Sequence, residues 1–265
     1  MKTLVATKCL VEYDDRGQGR PVVLLHAFPL SREMWQPQVK ALQKDYRLIV
    51  PDLRGFGGTE GFAGKPSLEL MADDVHALLE KIRVTEPVVL GGLSMGGYVA
   101  LAFARKYPAR LRALILADTR AEPDSPEARA NRDNLIAFTG THTAADVIDQ
   151  MLPRMVSEET RARRPEVVEE VRRLASAQPT AGIIGALRAL RDRPDSLPAL
   201  AGIAVPTLVV VGSDDVLTPP SVSDTLAARI PGAKRVLIPG AGHLSNLEQP
   251  ELFNEAMRLF LAGRA

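Results

Sequence analysis

The sequence predicts an α/β fold built on a mostly parallel central sheet flanked by helices, and three observations predict it. Short apolar runs at 22–25, 47–50, 87–90 and 113–117 alternate with segments of helical spacing, the rhythm of βα units feeding a parallel sheet. One of these runs, Pro87-Val88-Val89-Leu90, leads through Gly91-Gly92-Leu93-Ser94-Met95-Gly96-Gly97 into an apolar helical stretch from Tyr98 to Ala104. The next strand signal waits until Val205, and the stretch before it, from about Glu122 to Pro194, is rich in Ala, Arg and Glu at helical spacing.

Taken in order, Val22-Val23-Leu24-Leu25 is too short and too apolar for anything but a buried strand, and it runs into His26-Ala27-Phe28-Pro29. Arg47-Leu48-Ile49-Val50 is a second strand, closed by the turn-rich Asp52-Leu53-Arg54-Gly55-Phe56-Gly57-Gly58-Thr59. From Ser67 to Val84, Leu68, Ala72, Val75, Leu79 and Ile82 keep helical spacing. Leu114-Ile115-Leu116-Ala117 ends at Asp118; Val205-Pro206-Thr207-Leu208-Val209-Val210-Val211 ends at Gly212-Ser213-Asp214-Asp215; and Lys234-Arg235-Val236-Leu237-Ile238 opens into Pro239-Gly240-Ala241-Gly242-His243. One domain is expected over 1–265, with a core at 1–121 and 194–265 and a helical cap at 122–193 over the carboxyl edge of the sheet. Phe138, Met151, Leu152, Met155, Ile183 and Leu187 are the larger apolar residues of the cap, available to line a cavity or to pack helix on helix.

The chemistry begins at Ser94. A serine at a sharp strand-to-helix corner exposes its hydroxyl, and only glycine fits where neighbouring backbone comes close, at Gly92 and Gly96. A hydroxyl is a weak nucleophile near neutral pH, so a base and a group to orient it are needed. Of the four histidines, His76 lies within a helical pattern and His142 in a polar Thr-rich stretch, whereas His243 sits in a small flexible loop after a strand. The orienting acid should lie at the carboxyl end of another strand, where ligand chemistry on a parallel sheet collects. Asp118 and the Asp214-Asp215 pair qualify, and since adjacent extended residues point in opposite directions, Asp214 and Asp215 cannot both reach one imidazole.

These residues carry a resemblance that covers almost the whole chain: it resembles an α/β-hydrolase, with the order Ser94, Asp, His243. The resemblance implies Asp215 as the acid, three residues after the glycine that ends the seventh strand; Asp118, after the sixth, is the rival used by some relatives. It implies an oxyanion hole from the backbone N–H groups of Phe28 and Met95, with His26 supporting the loop structurally. Ala27 departs from the pattern where glycine is usual, and alanine permits the loop if its φ is negative. Asp52 to Thr59 is similar to the family's DxxGxGxS turn, with Thr59 in the serine position. A serine at position 94 argues against haloalkane dehalogenases and epoxide hydrolases, which need a carboxylate there. Together, the motifs look most like small bacterial carboxylesterases and 3-oxoadipate enol-lactonase-like hydrolases.

The resemblance thus implies a carboxylesterase-type serine hydrolase acting on small, moderately apolar esters, with Ser94, His243 and Asp215 as the triad. The alternatives are an enol-lactonase, whose carboxylate-bearing substrate would favour a cationic group such as Arg154 or Arg188 at the pocket, a cofactor-free perhydrolase side activity, and a non-catalytic ligand-binding member of the fold. The resemblance implies a small-molecule ester or lactone as partner, and composition marks no strong electrostatic one. The chain has 265 residues, 46% hydrophobic and 25% charged, with a formal net charge of +1, and it lacks the basic excess of a nucleic-acid or membrane-surface protein. Its densest basic run, Arg161, Arg163 and Arg164, is short and follows Glu158 and Glu159. The single cysteine, Cys9, forms no internal disulfide, no His/Cys cluster is spaced for zinc, and neither a metal nor a cofactor is expected. Met1 to Lys8 lacks the apolar core of a signal peptide and no segment reaches the ~18 apolar residues of a membrane span, so a cytoplasmic location is expected.

Overall fold

A computed structural model describes residues 1–263. Its strands are β1 (Lys2–Leu4), β2 (Leu10–Arg16), β3 (Pro21–Leu25), β4 (Arg47–Pro51), β5 (Val88–Leu93), β6 (Leu111–Ala117), β7 (Thr207–Gly212) and β8 (Lys234–Ile238). They form one sheet in the order β1-β2-β4-β3-β5-β6-β7-β8, antiparallel where β2 meets β1 and β4 and parallel from β4 to β8. The predicted α/β class is therefore the observed one. The two antiparallel strands are the part the apolar runs do not signal, since β1 spans three residues and β2 carries Glu12, Asp14 and Asp15 among its apolar positions.

The parallel strands are apolar throughout because both faces are covered. In β3, Val23 and Leu25 enter the core on one face while Val22 and Leu24 enter the core on the other. β6 divides in the same way, with Leu114 and Leu116 on the first face and Ala113 and Ile115 on the second. The helices before the insertion are α1 (Gln36–Leu42), α2 (Leu68–Lys81) and α3 (Met95–Lys106). α2 packs on α3, and its start is fixed by Ser67, whose hydroxyl accepts the Leu70 N–H at 3.1 Å.

Between β6 and β7 lie α4 (Pro126–Thr139), α5 (Ala144–Met155), α6 (Glu158–Arg163), α7 (Pro165–Ser176) and α8 (Thr180–Arg191), followed after β7 by α9 (Pro220–Arg229), α10 (Ser245–Glu248) and α11 (Pro250–Ala262). α4 packs on α8 and α5 on α7. The two ends of the insertion are tied together: Ser196 N–H donates to the Ala121 carbonyl at 2.9 Å, and the buried Arg193 guanidinium donates to the Glu122 carbonyl and to Asp124 at 2.6 Å. Leu152, Ile183 and Leu187 are spent on packing, whereas Phe138, Met151 and Met155 face the cavity below. Among the described residues, no helix is long and apolar enough to cross a membrane, and no cluster of three or more His, Cys, Asp or Glu could hold a metal ion. Burial pushes the Cys9 thiol up to about 11, with the charge of Asp74 adding to it, so this cysteine carries little thiolate.

Candidate active site

Three strand ends bring the predicted residues together. Ser94 stands between β5 and α3 with φ 53° and ψ −112°, a left-handed backbone that a non-glycine residue holds only when its surroundings impose it. The surroundings are close-packed backbone. A Cβ on Gly92 would lie 2.1 Å from the Gly96 carbonyl oxygen, and one on Gly96 would lie 2.1 Å from that of Leu25. Gly96→Ala is therefore expected to cost about 1–3 kcal/mol of stability, read by denaturant unfolding, because no flexible side chain is available to yield.

Ser94 Oγ lies 2.8 Å from His243 Nε2, and His243 Nδ1 lies 2.8 Å from Asp215 Oδ2. With Asp215 accepting at Nδ1, that nitrogen carries the proton and Nε2 is left to accept from the serine. The carboxylate is held by further donors: Leu217 N–H at 2.8 Å and Thr218 N–H at 2.9 Å on Oδ1, and the Thr218 hydroxyl at 2.5 Å on Oδ2. Burial by itself would raise the Asp215 pKa, but His243 and the hydrogen bonds outweigh it and hold the carboxyl at about 2. Thr218 also approaches His243 Nδ1 at 3.2 Å, so it braces both partners.

A depressed carboxyl stabilises the folded state above its unfolded value, and that stability is lost as pH falls through the folded value. For Asp215 the window runs from about 3.8 down to about 2. In acid titrations, the stability gap between wild type and Asp215→Asn is expected to narrow across that interval.

Asp118 does not reach His243. Its Oδ1 accepts the Gly212 N–H at 2.8 Å, its Oδ2 pairs with the Ser245 hydroxyl, and its backbone is strained at φ 44°. Burial, and next the charge of Asp215, push its carboxyl well above the usual carboxylate range. It thus joins the end of β7 to the helix that follows His243. Asp214 points the other way into solvent, with its side chain against the Ser213 hydroxyl at 2.8 Å.

Phe28 N–H has no protein acceptor among the described residues, and Met95, as the first residue of α3, has no partner in the helical ladder for its own. Phe28, Ser94 and His243 all face one cavity of about 800 Å³. Ala27 is not among the described residues with positive φ, so alanine fits the loop without strain. Its N–H donates to the Met34 sulfur at 3.1 Å, and its carbonyl meets His26 Nδ1 at 2.9 Å. His26 is fully buried, accepts the Leu53 N–H on Nε2 at 2.9 Å, and is kept below its ordinary pKa by burial, all consistent with a neutral brace between two loops. His76 stacks on Tyr107 and His142 on Phe138, both outside the cavity wall. Thr59 closes its turn by donating to the Asp52 carbonyl at 2.9 Å.

Besides Arg154, the cavity wall holds basic residues the motif reading passes over. Arg120, Arg132, Arg154 and Arg193 face it, with Asp124 as the only acidic residue among the described residues. Of the two cap arginines whose direction the sequence leaves open, Arg154 lies on the wall and Arg188 does not. Arg188 is exposed on α8, whose neighbouring Leu187, Ala189 and Leu190 turn inward. The signal for Arg120 is present in the sequence: it follows Asp118 by two residues at the carboxyl end of β6, the same edge that selects the acids.

A parallel sheet that sets a strained serine, a histidine and a carboxylate in hydrogen-bonded series at its carboxyl edge defines the hydrolase-fold class of enzyme. The chain belongs to the alpha/beta hydrolase fold family, whose model matches residues 20–250. Among solved structures it is similar to a thermophilic esterase from Thermogutta terrifontis with malate bound, at 42% identity and a TM-score of 0.96, covering 100% of this chain and 98% of that one. It is also similar to the enol-lactonase from Burkholderia xenovorans LB400, at 28% identity and a TM-score of 0.91, covering 99% and 100%. The 3-oxoadipate enol-lactonase 2 of Acinetobacter baylyi is 28% identical over 259 residues, 96% of this chain and 94% of that protein.

Proposed function

We propose that this protein is a serine hydrolase of the carboxylesterase type that cleaves small, moderately apolar esters through an acyl-enzyme on Ser94. The observation that carries the reading is the unbroken series Ser94 Oγ, His243, Asp215 at 2.8 Å per step, opening on a cavity of about 800 Å³. As Ser94 Oγ attacks the ester carbonyl, its proton passes to His243 Nε2 and the C–O π pair moves onto the carbonyl oxygen. The Phe28 and Met95 amides receive that oxyanion, and losing one such donor costs about 3 kcal/mol of transition-state stabilisation. Collapse expels the alcohol, which takes the proton from His243. Water, deprotonated by the same nitrogen, then attacks the acyl-enzyme and releases the acid with Ser94 restored. Asp215 holds the imidazole in the Nδ1–H tautomer and faces the imidazolium as it forms.

Opening of an enol-lactone uses the same steps, and the relatives named as enol-lactonases favour it as a second reading. The test is hydrolysis of p-nitrophenyl esters of increasing acyl length by wild type and Ser94→Ala beside an enol-lactone. Serine-dependent turnover of short to medium acyl chains supports the esterase; weak ester turnover with fast lactone opening moves the assignment to the lactonase; inactivity on both leaves the fold as a binding module.

A further inference from the structure

The cavity beside Ser94 carries an unbalanced charge. Four guanidiniums face one carboxylate, so the wall has a formal excess of three positive charges. Two of the arginines are engaged in the fold. Arg193 is buried against Asp124 at 2.6 Å, bonded to the Glu122 and Leu190 carbonyls, and seated over the Tyr98 ring at 4.5 Å; Arg132 shares the same Asp124. Asp124 is thus occupied twice over.

The other two are not neutralised. Among the described residues no carboxylate pairs with Arg120 or Arg154. Arg120 donates only to the Leu217 carbonyl, a neutral acceptor whose own N–H bonds to Asp215, which places Arg120 beside the loop that holds the acid. Arg154 precedes Met155, whose carbonyl accepts the Leu244 N–H next to His243. Both guanidiniums therefore sit on segments tied to the Asp215 and His243 loops, around a cavity whose wall mixes apolar side chains such as Phe28, Phe138 and Met151 with the neutral polar Asn131, Asn134 and Gln150. Arg120 is half-buried and Arg154 exposed at the cavity mouth, and a guanidinium with no carboxylate partner in the fold can bind one from a ligand through paired N–H donors.

We infer that this site selects esters or lactones that themselves carry a carboxylate, with Arg120 and Arg154 as the residues that set this specificity. The inference rests on the hydrolase reading for its reaction, and on the wall charge it narrows the substrate class of that reading from moderately apolar esters to those that also carry a carboxylate. The ester group sits at Ser94 while the remote carboxylate is held by the two arginines, so binding energy from the charged end positions the reacting carbonyl.

The test compares two substrates of matched length, monoethyl glutarate and ethyl pentanoate, by proton release. Wild type is expected to prefer the half-ester in kcat/KM by at least about tenfold at low salt. Arg154→Gln and Arg120→Gln are each expected to cut that preference about tenfold, mainly through KM for the half-ester, with partial rescue in Arg120→Lys. Raising the ionic strength to about 0.5 M should erode it in wild type. A preference for ethyl pentanoate, or a ratio moved neither by the substitutions nor by salt, overturns the inference while the hydrolase reading stands. Calorimetric titration of Ser94→Ala with both compounds reads the same selectivity without turnover. Selective binding of the half-ester by Ser94→Ala while wild type turns over neither compound would remove the hydrolase reading and keep the charge selection; equal binding would remove the charge selection.

Discussion

Ser94→Ala is expected to lower ester hydrolysis by at least about 10³-fold while leaving the unfolding transition within about 1 kcal/mol of wild type. The size of the loss follows from the arrangement. Among the described residues Ser94 Oγ is the one hydroxyl in hydrogen-bond contact with His243 Nε2, so its removal leaves the imidazole nothing to activate but water. On the proposed mechanism, what remains is the catalysis available from the Phe28 and Met95 amides and from substrate binding. The stability term is small for a related reason: Oγ is one half-buried hydroxyl, and the left-handed backbone that costs energy is retained in alanine. Paired measurements of steady-state hydrolysis and denaturant unfolding on the same preparation check both halves. Residual activity above a tenth of wild type, equivalent to less than about 1.4 kcal/mol of barrier, would remove Ser94 from the nucleophile's role.

The second large effect separates two buried aspartates. Asp215→Asn is expected to reduce kcat by about 10⁴-fold, because an amide at that position can donate to His243 and so favour the tautomer whose Nε2 cannot take the serine proton. Asp118→Asn is expected to stay within about tenfold of wild type. Burial and Asp215 push the Asp118 carboxyl toward its neutral form, and an amide reproduces that form: its oxygen can accept from Gly212 N–H and its nitrogen can donate to the Ser245 hydroxyl. The comparison is a direct reading of which carboxylate orients the imidazole. A larger loss from Asp118→Asn than from Asp215→Asn would transfer the acid to the end of β6.

How far each element is legible in the sequence depends on how local its cause is. β3, β5, β6 and β7 are legible because burial on both faces demands unbroken apolar runs, and the corner at Ser94 is legible because close backbone contacts admit only glycine at Gly92 and Gly96. The β2 strand is harder to see, since its polar residues meet partners supplied by distant chain, such as Arg47 on Asp15 at 2.6 Å. Arg154 and Arg188 illustrate the same limit within the inserted helices. Both are exposed basic residues on helices of similar composition, and only the packing of α5 and α8 sets the first at the cavity wall and the second away from it. Phe138 and Leu187 divide for the same reason, one lining space and the other filling it.

By itself, the sequence determined the α/β class, the family, and the short list of residues able to do nucleophilic chemistry, because apolar periodicity, glycine spacing and a strand-end position are properties of neighbours along the chain. Only the tertiary structure decided that Asp215 and not Asp118 meets His243, that Thr218 braces both, and that Arg120 and Arg154 share a cavity wall with Ser94 with no carboxylate paired to them among the described residues. Those outcomes depend on distances between residues dozens of positions apart, and such distances exist only once the sheet is assembled and the inserted helices are folded over its edge.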